Sequence, residues 1–195
     1  MPYRIITISR APYSGARHIA RLVADKLNLA YYDKELITLA AKESGLSEEA
    51  IAASETQRSS SLLYSLSILG SQLPLADQVY LVKSSVIKQV AEEGPCVIVG
   101  CCGDYVLNSR KDVLNVFLYG SEDLRVAQGQ AEGLLPADHA AALRALHKAD
   151  RKKADYYLYY TQNRWGQAQN YDLCLNAELG ADLCAQLIED AYTKG

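Results

Sequence analysis

Short apolar and β-branched runs, set between stretches with helical spacing, constrain this chain more than any other feature. Ile5-Ile6-Thr7-Ile8, Cys96-Val97-Ile98-Val99 and Val113-Leu114-Asn115-Val116-Phe117-Leu118-Tyr119 are three of them, and Tyr171-Asp172-Leu173-Cys174-Leu175-Asn176 is a fourth. Continuous apolar runs, rather than strict alternation, suit strands buried on both faces of a parallel sheet. Between them Ile19, Leu22, Val23 and Leu27 recur at helical spacing, as do Leu36, Leu39 and Ala40, and later Leu183, Leu187 and Ile188. Strands alternating with helices predict an α/β fold whose crossovers are right-handed.

The 195 residues suit a single domain over 1–195 with a self-sufficient core. Hydrophobic residues at 49% and charged residues at 22% exclude wholesale disorder. A net charge of -3 leaves no global basic field, so neither nucleic acid nor a membrane is expected as a partner. No apolar run approaches the ~20 residues that span a bilayer. The first eight residues are too short and polar for a secretory signal, which makes a cytoplasmic protein the expectation. The five cysteines, Cys96, Cys101, Cys102, Cys174 and Cys184, show no Cys-x-x-Cys or Cys/His metal spacing, so no metal ligand is assigned. Cys96, Cys174 and Cys184 read as small buried hydrophobes.

Two segments interrupt the alternation. Residues 54–71 carry seven serines around Leu62, Leu63, Leu66 and Leu69, which form either a mobile arm or a helical face for a neighbour. A homo-oligomer docked through Leu62 and Leu66 is one consequence. The second segment, residues 144–165, begins as a basic helix with Arg144, Lys148, Arg151 and Lys152 at three- and four-residue spacing, and Lys153 beside them. It ends in Tyr156-Tyr157-Leu158-Tyr159-Tyr160. A basic run can equally be a solvated helix face.

After the first strand, Ser9-Arg10-Ala11-Pro12-Tyr13-Ser14-Gly15-Ala16-Arg17-His18 leads into the first helix. A strand, a tight loop and a helix N-terminus converge backbone N–H groups and a helix dipole on one anion. The full P-loop pattern has two glycines and a lysine; here Gly15 alone remains, with no lysine after it. As a bare pattern this is an ordinary strand-to-helix turn.

The Ile-Thr-Ile-Ser-Arg run, Tyr31-Tyr32-Asp33-Lys34-Glu35-Leu36-Ile37, Cys96-Val97-Ile98-Val99-Gly100, the stretch from Asp150 to Thr161, Trp165-Gly166 and the final strand run together resemble the cytidylate kinase-like family of P-loop kinases. The resemblance covers nearly the whole chain in order. It implies a three-layer α/β/α fold with a central parallel sheet, an acceptor arm over about 45–93 and a helical lid over about 144–168. It implies phosphoryl transfer from ATP, carried with Mg²⁺, to a nucleoside monophosphate such as CMP or dCMP.

Carried over residue by residue, the resemblance puts Tyr13, Ser14, Gly15, Ala16, Arg17 and His18 around the donor phosphates, with Lys148 and Lys152 closing from the lid. Arg17, Asp33, Arg151 and Lys153 take the reaction centre, while Asp33, Gly100, Cys101 and Asp104 take the acceptor. Asp33 also reads as a helix N-cap ahead of Glu35. The chain departs from the family at Tyr13 and Ala16, each in place of a glycine, and a gapless alignment with ordinary cytidylate kinases puts Ala16 at the lysine. Cys101 stands where an acceptor-gripping arginine belongs, and Lys153 where the lid has its arginine. These departures favour a second reading, an impaired nucleotide- or phosphate-binding protein on the same fold.

Overall fold

The computed structural model describes residues 2–33, 35–45, 47 and 73–195. Residues 48–72, and with them the leucine face of 54–71 and the expected oligomer contact, lie outside these. The strands are β1 (Ile5–Arg10), β2 (Ala30–Tyr32), β3 (Cys96–Val99), β4 (Val113–Tyr119) and β5 (Leu173–Asn176). All pair in parallel, in the order β2-β3-β1-β4-β5. The helices are α1 (Ala16–Leu27), α2 (Glu35–Ser44), α3 (Leu75–Glu93), α4 (Gly103–Val106), α5 (Glu122–Ala131), α6 (His139–Thr161) and α7 (Ala181–Lys194). The expected α/β/α architecture is therefore present.

Both faces of the central strands are dry because successive strand residues point opposite ways. Ile6 and Ile8 of β1 join Val97, Val99, Val116 and Leu118 beneath α1 and α7, with Ile19, Val23 and Ile188 closing the layer. Ile5, Cys96, Ile98 and Val113 face the other way, against Leu36 of α2 and Val79, Val86, Ile87 and Val90 of α3. The part of the expected arm that is described is thus a helix with one side in the core. No helix among the described residues is long and apolar enough to cross a membrane.

The periodicity located α7 but misjudged its inward face. Leu183 and Leu187 are exposed at 49% and 38%, while Cys184, Ala185 and Ile188 are buried. Small side chains on that face let α7 lie close against α1, which also offers alanines at 16, 20 and 24. Cys174 is exposed rather than buried, because β5 is the sheet edge and one of its faces is open. Cys96 and Cys184 are buried as expected.

A smaller apolar cluster joins α5 to α6 through Val126, Leu135, Ala142 and Leu146. Both helices start on a side-chain cap, Ser121 accepting from the Leu124 N–H and Asp138 from the Ala141 N–H at 2.8 Å. This unit stands over the C-terminal ends of β1, β3 and β4, where an open α/β sheet places its ligands.

Candidate functional site

Residues 11–15 turn the chain from β1 into α1. The Ala11 N–H still bonds to the Leu118 carbonyl at 2.9 Å, and the Ser14 hydroxyl donates back to the Ala11 carbonyl at 2.8 Å. Tyr13 and Gly15 take left-handed backbone angles, φ 60° and 70°. The His18 and Ile19 N–H groups close on the Gly15 carbonyl and start the helix. Among the described residues, the N–H groups of Tyr13, Ser14, Gly15, Ala16 and Arg17 find no acceptor in that scheme. They border a hollow of about 230 Å³ that Arg10, Arg17 and Lys153 also line. Orphan amides at a helix N-terminus beside cations form an anion cradle.

Tyr13 occupies a glycine's conformation without filling the cradle. Its ring packs on the α5–α6 cluster, close enough that a Cβ on Gly129 would come within 3.2 Å of it. Gln128, from the same helix, covers the loop at Gly15. Arg125 is nearly buried; its Nε donates to the Pro12 carbonyl at 2.8 Å and its other end pairs with Asp150 of α6. One guanidinium therefore holds the loop of residues 11–15 and the basic helix together.

Asp33 lies at the end of β2. Its carboxylate accepts from Arg17 Nε at 2.6 Å and faces Arg10 Nη2 at 3.6 Å. The Glu35 side chain reaches back to the Asp33 N–H at 3.0 Å, and the Asp33 backbone carbonyl takes the Leu36 N–H. Asp33 thus orients two arginines at the mouth of the cradle.

A second, narrower hollow of about 20 Å³ adjoins the first, between Ser9, Gly100, Cys101 and Cys102 on one side and Tyr156, Tyr157 and Trp165 on the other. Gly100, Cys101 and Cys102 are all left-handed, at φ 77°, 55° and 56°. Asp104 lies beneath, 5% exposed, accepting from Tyr157 and from Ser9 at 3.2 Å. Burial pushes the Asp104 carboxyl above the usual aspartate range, against the Tyr157 and Ser9 hydroxyls that hold it down. Burial and the Asp104 charge push Tyr157 far up and Tyr171 to about 12. Tyr160 donates to Asp77 of α3 at 2.9 Å and stacks on Tyr80 at 4.0 Å, so the end of α6 is fastened to α3. Trp165 sits edge-on to Phe117, and Gly166 is glycine because a Cβ there would lie 3.1 Å from the same ring.

The expected site residues therefore fall into two groups. Tyr13, Ser14, Gly15, Ala16, Arg17 and Lys153 border the cradle, Gly100 and Cys101 border the second hollow, and Asp33 and Asp104 anchor the groups around them. His18, Lys148, Arg151 and Lys152 are exposed and border neither hollow. Of the lysines and arginines of α6, Lys153 is the one that borders the hollows. Arg125 carries no sequence signal, and for Arg10 and Tyr157 the sequence suggests only a place in the loop and a packing role. Arg10 had a signal, since it closes the Ile-Thr-Ile-Ser-Arg run, but Arg125 and Tyr157 act through partners 113 and 53 residues away.

No group of three or more His, Cys, Asp or Glu side chains among the described residues is placed to hold a metal ion. The hydroxyl that a P-loop offers to Mg²⁺ has no counterpart at Arg17 or His18, so the helix start does not fit a resident magnesium.

The model of the cytidylate kinase-like family matches residues 5–179, which takes in both hollows and the whole of α6. The chain belongs to the cytidylate kinase-like family. Solved structures share its fold. An uncharacterized protein from Eubacterium ventriosum is 22% identical, with a TM-score of 0.72 over 96% of this chain and 97% of that one. A shikimate kinase from Bacteroides thetaiotaomicron is 15% identical, with a TM-score of 0.60 over 96% and 97%. A shikimate kinase from Acinetobacter baumannii, solved with shikimate, is 14% identical, with a TM-score of 0.52 over 97% and 92%. Comparison with the curated proteins gives no match. As a member of the cytidylate kinase-like family on a kinase fold, the chain is a kinase-like nucleotide-binding protein.

Proposed function

We propose that this protein transfers the terminal phosphoryl group of Mg²⁺-ATP to the phosphate of a pyrimidine nucleoside monophosphate such as CMP or dCMP. The observation that supports the reading is that the amide cradle and the second hollow share Arg10 and Lys153 in their linings, as neighbouring donor and acceptor sites would. An acceptor phosphate oxygen attacks the γ-phosphorus, the bond to the β,γ-bridging oxygen breaks, and ADP leaves. Such a transfer asks the protein for alignment and positive charge rather than covalent chemistry. The loop amides would hold the β- and γ-phosphates, Arg17 and Lys153 would take up charge developing on the transferred group, and Asp33 would keep Arg17 aimed. The magnesium ion is part of the substrate, held by the triphosphate and water.

The same scaffold supports a second reading, a protein that binds a nucleotide or phosphate without fast turnover. Ala16, Cys101 and Lys153 favour it, since each changes a group the family uses around transition-state charge. If each change cost about 2 kcal/mol and the costs added, the rate would fall near 10⁴-fold. Labelled ATP with Mg²⁺ and a panel of nucleoside monophosphates separates the two. Transfer above background that drops in Arg17→Ala supports the kinase; saturable nucleotide binding without transfer to any acceptor supports the binder. Absence of binding to ATP and to every monophosphate at millimolar concentration overturns both.

A further inference from the structure

Arg10 ends the middle strand of the sheet, and its side chain crosses to the neighbouring strand end. A Cβ on Gly100 would lie 2.9 Å from Arg10 Nη1, so the guanidinium occupies the space that glycine leaves open over the β3 loop. Its other nitrogen faces Asp33 at 3.6 Å, and the side chain is only 17% exposed. Arg10 and Lys153 are the two side chains that border both hollows. Among the described residues, the second hollow is otherwise lined by a hydroxyl, a glycine, two thiols and three aromatic rings, with no further cation.

We propose that Arg10 is the residue that binds the acceptor's phosphate, doing from β1 what a guanidinium at position 101 would do from the β3 loop. The inference rests on the phosphoryl-transfer reading and names the group that makes its acceptor half work. A phosphate monoester entering over Gly100 meets Nη1 of a guanidinium whose Nη2 faces Asp33, and a guanidinium offers directed N–H donors where an ammonium supplies a point charge. Because the same guanidinium borders the cradle, it sits between the two phosphates that must approach each other. Their mutual repulsion is the main obstacle to that approach, and a shared cation relieves it.

The chain's single tryptophan, Trp165, borders the second hollow and supplies the readout. Its emission is titrated with CMP, with inorganic phosphate and with a non-hydrolysable ATP analogue. Arg10→Gln should weaken CMP and phosphate binding about tenfold or more. Arg10→Lys should fall between wild type and Arg10→Gln. Adding Cys101→Arg to Arg10→Gln should restore CMP binding, because it returns a guanidinium to the same hollow from the other strand; a merely structural role for Arg10 predicts no such rescue. If Arg10→Gln does not fold, Arg10→Lys with and without Cys101→Arg carries the same comparison. CMP and phosphate binding that stays within about twofold of wild type in the Arg10 variants overturns the proposal, as does wild-type protein that binds the ATP analogue but neither CMP nor phosphate. Wild-type protein that binds none of the three overturns the phosphoryl-transfer reading itself, a result distinct from either.

Discussion

Tyr13 shows how a single position reconciles two demands. The loop needs a left-handed residue there, which costs an L-residue with a Cβ roughly 1–2 kcal/mol relative to glycine. The ring offsets this by covering the α5–α6 cluster beside Gly129. Ala carries the backbone cost without the ring, whereas Gly carries neither. Tyr13→Ala should therefore be the least stable of the three, about 1–3 kcal/mol below wild type, and Tyr13→Gly should lie above Tyr13→Ala by about 1 kcal/mol. Urea unfolding of the three proteins checks the order; Tyr13→Ala equal to or above Tyr13→Gly would show that the ring, not the backbone, sets the cost. Asp33 makes a related point. A residue that reads as a helix cap spends its carboxylate on two arginines, while its backbone N–H is taken by the Glu35 side chain.

At the scale of elements, α6 is a wall fastened at several heights. Asp150 pairs with Arg125, Tyr157 donates to Asp104, and Tyr160 donates to Asp77. These ties aim Lys153 into the gap between the two hollows while leaving Lys148, Arg151 and Lys152 in solvent. Arg125 is the most consequential of them because it also holds Pro12 of the loop of residues 11–15. Removing it strands a partly buried carboxylate and a loop carbonyl. Arg125→Met should cost about 2–3 kcal/mol, below the fully buried limit because Asp150 keeps some exposure to water, and lower the thermal midpoint by roughly 5–10 °C. Asp150→Asn, which leaves the Arg125–Pro12 bond in place, should cost less. Equal midpoints for wild type and Arg125→Met, measured calorimetrically, would remove the tie from the account.

Over the whole molecule, the strand ends, α3 and α6 converge on one buried carboxylate, Asp104. Its folded-state pKa lies above its ordinary value because burial outweighs the hydroxyls that bond to it. The folded state then holds a proton that the unfolded chain has already released, so this group's contribution is fully present below the ordinary aspartate value of 3.8 and is lost as pH rises through the raised folded value. Asp104→Asn has no such loss. The thermal midpoint of wild type should therefore fall relative to Asp104→Asn as pH is raised from about 4 toward neutrality. A difference that stays flat or moves the other way across that range would mean that the hydrogen bonds from Tyr157 and Ser9, not burial, decide the charge state.

Patterning along the chain determined the layered α/β fold, four of the five strands and the turn from β1 into α1, because apolar period and turn chemistry are properties of neighbouring residues; the three-residue β2 is too short to leave such a run. It found α7 with Cys184 and Ile188 buried, but also turned Leu183 and Leu187 inward, since Ala185 packs by its smallness and Leu183 looks more apolar. It found the strand-to-helix turn at Ser14 and Gly15, which depends on local backbone alone. It could not choose among the five basic positions on α6, nor see that Arg10 lies over Gly100 or that Arg125 joins loop to helix. Which side chain enters a site depends on how elements far apart in the chain rotate against one another, and only the packed tertiary structure decides that rotation.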